Sequence, residues 1–195
     1  MNETTLRDAA DHRRTMMTVT AGTATALWAL VFAGFHVHWA VGGDLGLGDG
    51  KAATDSLTGA FLVYDLVVAA MCLAGAGVAL ELRRADGRSV VPRWVLLTAA
   101  WAATLLLLAR GGIGVADDVL RSTGALTNGL SGMTTAQVYG EADPSAYTLW
   151  SMRAVDAYFV IGGVLFGTAL RGRLRQRTTA PTLRTRAARP STHTA

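Results

Sequence analysis

The chain has 195 residues, of which 51% are hydrophobic and 16% charged, with a mean hydropathy of +0.32. A soluble surface normally carries about 25% charged residues, so an ordinary soluble globule is disfavoured, and the length suits one domain. The net charge of +4 does not point to nucleic acid, because aromatic side chains do not interleave with the arginines.

The first element is apolar. Between Arg14 and Asp44 lie 29 residues without Asp, Glu, Lys or Arg, more than the ~20 that a helix needs to cross a bilayer. Acidic Glu3, Asp8 and Asp11 precede it, and it outruns the roughly 7–15 apolar residues of a signal peptide. A span over 18–41 is expected, after a cytoplasmic tail over 1–17. The run LTGAFLVYDLVVAAMCLAGAGVAL predicts a second span over 57–81, interrupted by Asp65. It holds Cys72, the one cysteine, which cannot form an intrachain disulfide and reads as a small apolar side chain.

The third run, WVLLTAAWAATLLLLA, predicts a span over 92–111. Only Thr98 and Thr104 break it, whereas a helix of a soluble bundle keeps a polar face. A long outer loop, 111–143, follows. Within it IGVADDVLRSTG reads as a short helix stopped by Gly124, with Asp118 and Arg121 spaced for a surface pair. The section TNGLSGMTTAQVYGEAD reads as irregular and able to fold over the membrane end. Asp143 as N-cap and Pro144 at the first helical position predict a fourth span over 144–171. The basic, threonine-rich remainder, 172–195, shows no period and reads as a disordered tail. Small residues four apart, Ala99/Ala103 and Gly163/Gly167, allow close helix packing. The expected fold is therefore all-α: a four-helix transmembrane bundle over 18–171.

Arginines orient it. Fourteen of the 18 basic residues fall in the N-terminal tail, the loop after the second span and the C-terminal tail; Lys51, Arg110, Arg121 and Arg153 fall on the other side. The positive-inside rule then puts both termini in the cytoplasm, with GGDLGLGDG and the 111–143 loop facing out. The glycines of that stretch follow no strand and form no nucleotide loop; they read as a tight turn. Residence in the cell membrane, with lipid as the first partner, follows.

Counting ~1.5 Å per residue from the cytoplasmic flanking charges puts Asp65, Arg110, Arg153 and Asp156 about 22–27 Å up, in the outer third of a core ~30 Å thick. His36, His38 and Trp39 end the first span at the same level. Charges in hydrocarbon usually face the bundle interior, paired or wet. Arg153 and Asp156, three apart, can pair along one helix, leaving Asp65 to Arg110. His36 and His38 point roughly 200° apart on a helix, so they cannot share one metal. His36 facing Asp65 would form a titratable pair. Asp117 and Asp118 of the loop, with Asp44 and Asp49, could attract a cation, but their spacing fits no calcium loop. Neither a metal nor a cofactor is expected.

The string HVHWAVGG, His36 to Gly43, resembles the end of the first span in small bacterial four-helix membrane proteins classed as a domain of unknown function. Those carry a His-x-aromatic-Trp-Ala-x-Gly-Gly signature; here His38 stands where an aromatic is commoner. RGGIG (Arg110–Gly114) and YFVIGGVLF (Tyr158–Phe166) are also similar. The resemblance implies a four-helix integral membrane fold and supplies no activity.

Three functions stay open. One is an outward pocket that binds or transports a small molecule or ion, lined by His36, His38, Trp39, Asp65, Arg110, Arg153, Asp156 and Tyr158, with a homo-oligomer needed for transport. Another is a membrane-embedded acid–base enzyme on an apolar isoprenoid or lipid, using an aspartic acid and His36. The last is an accessory subunit whose ion-pair layer only fixes packing.

Overall fold

A computed structural model describes residues 3–49, 59–84 and 89–187, with side chains over 16–17, 19–49, 59–84 and 89–175. Its order is α1 (Glu3–Ala40), α2 (Gly59–Arg83), α3 (Arg93–Ser122), α4 (Thr135–Tyr139) and α5 (Ala146–Ala187). Among the described residues there is no strand. Four helices contain stretches long and apolar enough to cross a membrane: Val19–Ala40, Gly59–Arg83, Arg93–Ser122 and Ala146–Arg175.

These helices exceed the expected spans. α1 begins at Glu3 and α5 continues to Ala187, where a cytoplasmic tail and a disordered tail were expected. A helix already nucleated extends at little cost through the Arg, Gln and Leu of Arg173–Arg177; the threonines and Pro181 beyond them are poor helix formers. Residues 188–195, and Lys51 with the turn around it, lie outside the described residues. α3 is corrected most. Its 30 residues measure about 45 Å, against a hydrocarbon thickness of ~30 Å. IGVADDVLRS is thus the end of α3 rather than a separate helix, and the connection to α5 starts only at Thr123. The separate helix is α4, inside the section expected to be irregular. Thr134 accepts from the Gln137 N–H, Gln137 returns a bond to the Thr134 N–H, and left-handed Gly140 (φ 81°) ends the turn. That reciprocal cap has a sequence signature, Thr-x-x-Gln.

Packing makes two antiparallel hairpins, α1 on α2 and α3 on α5, joined chiefly through α1 and α5. α2 buries Asp65, Ala69, Ala76, Ala79 and Leu82, while α3 buries Leu96, Ala100, Thr104 and Gly111. Both sets recur at three- and four-residue steps, one stripe of a helix. The remaining faces expose Leu, Val and Ile, as a lipid solvent permits. Cys72 is half-buried on α2.

Close approach depends on glycine. A Cβ on Gly111 would lie 2.6 Å from the Asp156 carbonyl oxygen and 2.7 Å from the Val160 nitrogen, and one on Gly114 would strike the Asp156 carboxylate. RGGIG is therefore the groove in which α5 lies. Gly167 faces Thr104 of α3, so the Gly163/Gly167 pair serves the same contact. Trp28 and Tyr158 clasp α1 to α5. The indole N–H donates to the Tyr158 carbonyl at 3.0 Å, the phenol donates to the Trp28 carbonyl at 2.6 Å, and the rings stack at 5.0 Å.

Candidate functional site

His36, Asp65, Arg110, Asp117, Asp118, Arg121, Arg153 and Asp156 lie toward the end of the bundle where α1 and α3 finish and α2 and α5 begin, but they divide into two groups. Between α1 and α2, His36 Nδ1 lies 2.8 Å from Asp65 Oδ1, the pair being 4% and 1% exposed. Phe32 and Trp39 pack edge-on against the imidazole at 4.7 and 4.8 Å. Trp39 is buried rather than lipid-facing, its indole N–H donating to the Leu45 carbonyl at 2.8 Å. His38 points elsewhere, exposed and folded against Gly43.

Between α3 and α5 the expected pairings are exchanged. Arg110 donates to Asp156 Oδ1 at 2.6 Å, not to Asp65. Arg153 donates to Asp118 Oδ2 at 2.9 Å, not to Asp156. Arg121 donates to Asp117 Oδ2 at 2.6 Å, one turn back, rather than to Asp118. Spacing along a helix shows which pairs are possible; it does not reveal the hand of a neighbouring helix. The longer α3 carries Asp118 up beside α5, so Arg153 and Asp156 take cross-helix partners in place of each other, while Arg121 keeps a local one. Arg110 also lies over the Phe159 ring at 5.1 Å, and Arg153 over Trp150 at 5.3 Å.

Arg121 organises the cover of this group. Its guanidinium also donates to the carbonyls of Met133 (2.8 Å) and Asn128 (2.9 Å) and to the Ser131 hydroxyl (3.1 Å), while the Leu130 N–H donates to Asp117 at 2.5 Å. Four bonds therefore run from one Arg–Asp clip to 128–133 and hold that segment down. Hydrogen bonds to charged groups contribute roughly 1.5–3 kcal/mol each, so Arg121→Ala is expected to free the segment without unfolding the bundle. Amide exchange at Leu130 should then accelerate by more than tenfold, while the amides of α2 stay protected.

Beside this segment lies a half-open pocket of about 560 Å³, lined among others by Arg110, Ile113, Asp118, Met133, Arg153 and Asp156 and by the α4 residues Gln137, Val138 and Tyr139. Burial, and then the Asp118 charge, push the Tyr139 phenol above its ordinary value. Tyr158 is not part of this lining. With Phe32, Phe35 and Trp39 it borders a smaller apolar pocket of about 190 Å³ between α1 and α5. Among the described residues no three His, Cys, Asp or Glu side chains gather as a metal cluster would.

The glycine-rich turn after α1 is a brace. The Gly46 N–H donates to the Tyr147 hydroxyl at 3.1 Å, the Asp49 N–H donates to Thr148 Oγ1 at 3.0 Å, and Ser145 donates to the Asp49 carboxylate. Gly48 holds φ +79° with Thr148 against it, where any side chain would be strained. Ser145, rather than Asp143, caps α5: its hydroxyl accepts from the Thr148 N–H at 3.1 Å.

A family model for a protein of unknown function, DUF3995, matches residues 29–129. The chain belongs to DUF3995. The match runs from the middle of α1 through α3 and includes His36, Asp65, Arg110, Asp117, Asp118 and Arg121; Arg153, Asp156 and Tyr158 on α5 lie beyond it. No curated protein and no solved structure matches the chain. DUF3995 membership and the four apolar helices together describe a multi-pass membrane protein of unknown function.

Proposed function

We propose that the chain resides in the cell membrane with both termini in the cytoplasm, and that the α3–α5 cavity binds a small polar molecule or ion from the outer side. The supporting observation is the cavity itself: about 560 Å³ of half-open space beside a pinned segment, with two cross-helix ion pairs in its wall. Its size lies within the range of small-molecule sites. Mixed charges beside Ile113, Met133 and Val138 suit a compact ligand that is polar at one end or zwitterionic. Transport through so few helices would call for a second copy of the chain. The enzyme reading loses support, because His36 is enclosed between α1 and α2 and does not border this cavity.

The accessory-subunit reading keeps one favourable observation: Arg110, Arg121 and Arg153 each already hold a carboxylate. A thermal-shift screen of the purified protein against small organic zwitterions, cations and anions separates the two. A ligand at a hundred times its dissociation constant stabilises by about 2.7 kcal/mol. Ile113→Trp, which fills the cavity from an otherwise exposed position, should abolish that shift and leave the unliganded midpoint unchanged. A shift that survives Ile113→Trp would place the ligand elsewhere; no shift with any solute would favour the purely structural layer.

A further inference from the structure

His36 and Asp65 lie outside the cavity and are not used by the function proposed above. Asp65 sits on the buried stripe of α2 and places Oδ1 against the His36 imidazole. Its second oxygen, Oδ2, is buried and has no hydrogen-bond partner in the structure. Among the described residues few titratable groups face the pair. On α2 the Tyr64 ring stands 6.2 Å from the imidazole. On α5 the Tyr158 hydroxyl is committed to the Trp28 carbonyl, and Asp156 is committed to Arg110 of α3. Two aromatic rings, Phe32 and Trp39, pack against the imidazole.

A neutral imidazole beside an ionised carboxylate leaves one net negative charge in an apolar seam, and an uncompensated buried charge is strongly unfavourable. Binding one proton removes that charge. The proton can complete an imidazolium–carboxylate pair, or it can sit on Asp65 Oδ2 as a carboxylic acid. The unpartnered oxygen is an acceptor position suited to the second. Histidine is the side chain whose ordinary charge change falls between about pH 5 and 8. We propose that His36 and Asp65 together form a binding site for a single exchangeable proton, built into the α1–α2 hairpin and separate from the α3–α5 cavity. In the step one O–H bond of hydronium breaks and one N–H or O–H bond forms on the pair; its net charge goes from minus one to zero, and nothing is oxidised or reduced. The pair lies within two turns of the brace that follows α1, so the proton comes from water on that side.

The test uses the full chain in phospholipid nanodiscs, labelled with 15N in its histidine rings and with 13C in its aspartate carboxyl groups. Between about pH 5 and 9, the His36 ring resonances and one carboxyl infrared band should move together in a single one-proton step. His36→Gln assigns the resonances. Asp65→Asn should abolish the carboxyl component and displace the remaining His36 step by at least tenfold in proton concentration. If Asp65→Asn does not fold, Asp65→Glu keeps the acid and must keep a linked step. A His36 step identical in wild type and Asp65→Asn would overturn the proposal. So would a wild-type pair silent across the whole range, or a His36 step that no carboxyl band accompanies in either wild type or Asp65→Glu.

Discussion

Gly111→Val is expected to strip most of the folded protein from the membrane. The added Cβ would meet the Asp156 carbonyl oxygen at 2.6 Å and the Val160 nitrogen at 2.7 Å. Both are backbone atoms of α5, so no change of rotamer relieves the clash; the helices must separate. Overpacking a dense core costs about 1–3 kcal/mol, and more when backbone has to move. A loss of about 3 kcal/mol is a large share of the 5–15 kcal/mol that holds a typical domain together. Separation would also draw Arg110 away from Asp156. The neighbouring glycine of the same motif supplies the control, since a Cβ on Gly112 meets nothing within 4 Å. Monodisperse yield and thermal midpoint in mild detergent should collapse for Gly111→Val and stay near wild type for Gly112→Val. Equal tolerance of both would refute the α3–α5 interface described above.

The second large effect is expected at the α1–α2 seam. His36→Leu should destabilise by about 3–5 kcal/mol, the range for removing one member of a buried charged pair. The loss comes mainly from what is left behind, an aspartate with both oxygens unpartnered. Replacing both members by well-packed apolar residues is often neutral or stabilising, so His36→Leu combined with Asp65→Leu should recover most of the loss. Arg110→Gln should not rescue either single change, because Arg110 belongs to Asp156. Midpoints for the two single variants, the double and the Arg110→Gln combinations complete the cycle. A double variant no better than His36→Leu alone would mean that Asp65 does not depend on His36.

The four long helices were legible because hydrophobic runs free of charge carry their own length. Their ends were not. Charged residues stop an apolar run without stopping a helix, so the sequence places Asp117, Asp118 and Arg121 on a short separate helix of the outer loop, whereas they ride on the last turns of α3. The His36–Asp65 contact could be anticipated, since consecutive antiparallel helices bring the end of one beside the start of the next. Pairings between α3 and α5 could not, because a connection of unknown course separates them and either arginine could reach either acid. The role of Arg121 is likewise hidden: two of its four acceptors are backbone carbonyls, which every residue possesses and no composition reveals. The Thr134/Gln137 cap with Gly140 behind it, by contrast, has a sequence signature that marks α4.

The clasp between Trp28 and Tyr158 joins residues 130 positions apart, whereas His36 and Asp65 are separated by only 29. During synthesis the first hairpin can therefore close long before its indole finds a partner. Until α5 is delivered, that hairpin waits in the bilayer as a finished half with one open seam. Any truncation ahead of Tyr158 leaves it there, so Trp28, as the one tryptophan kept in a chain whose other four are replaced by phenylalanine, would report by its emission when the two halves meet.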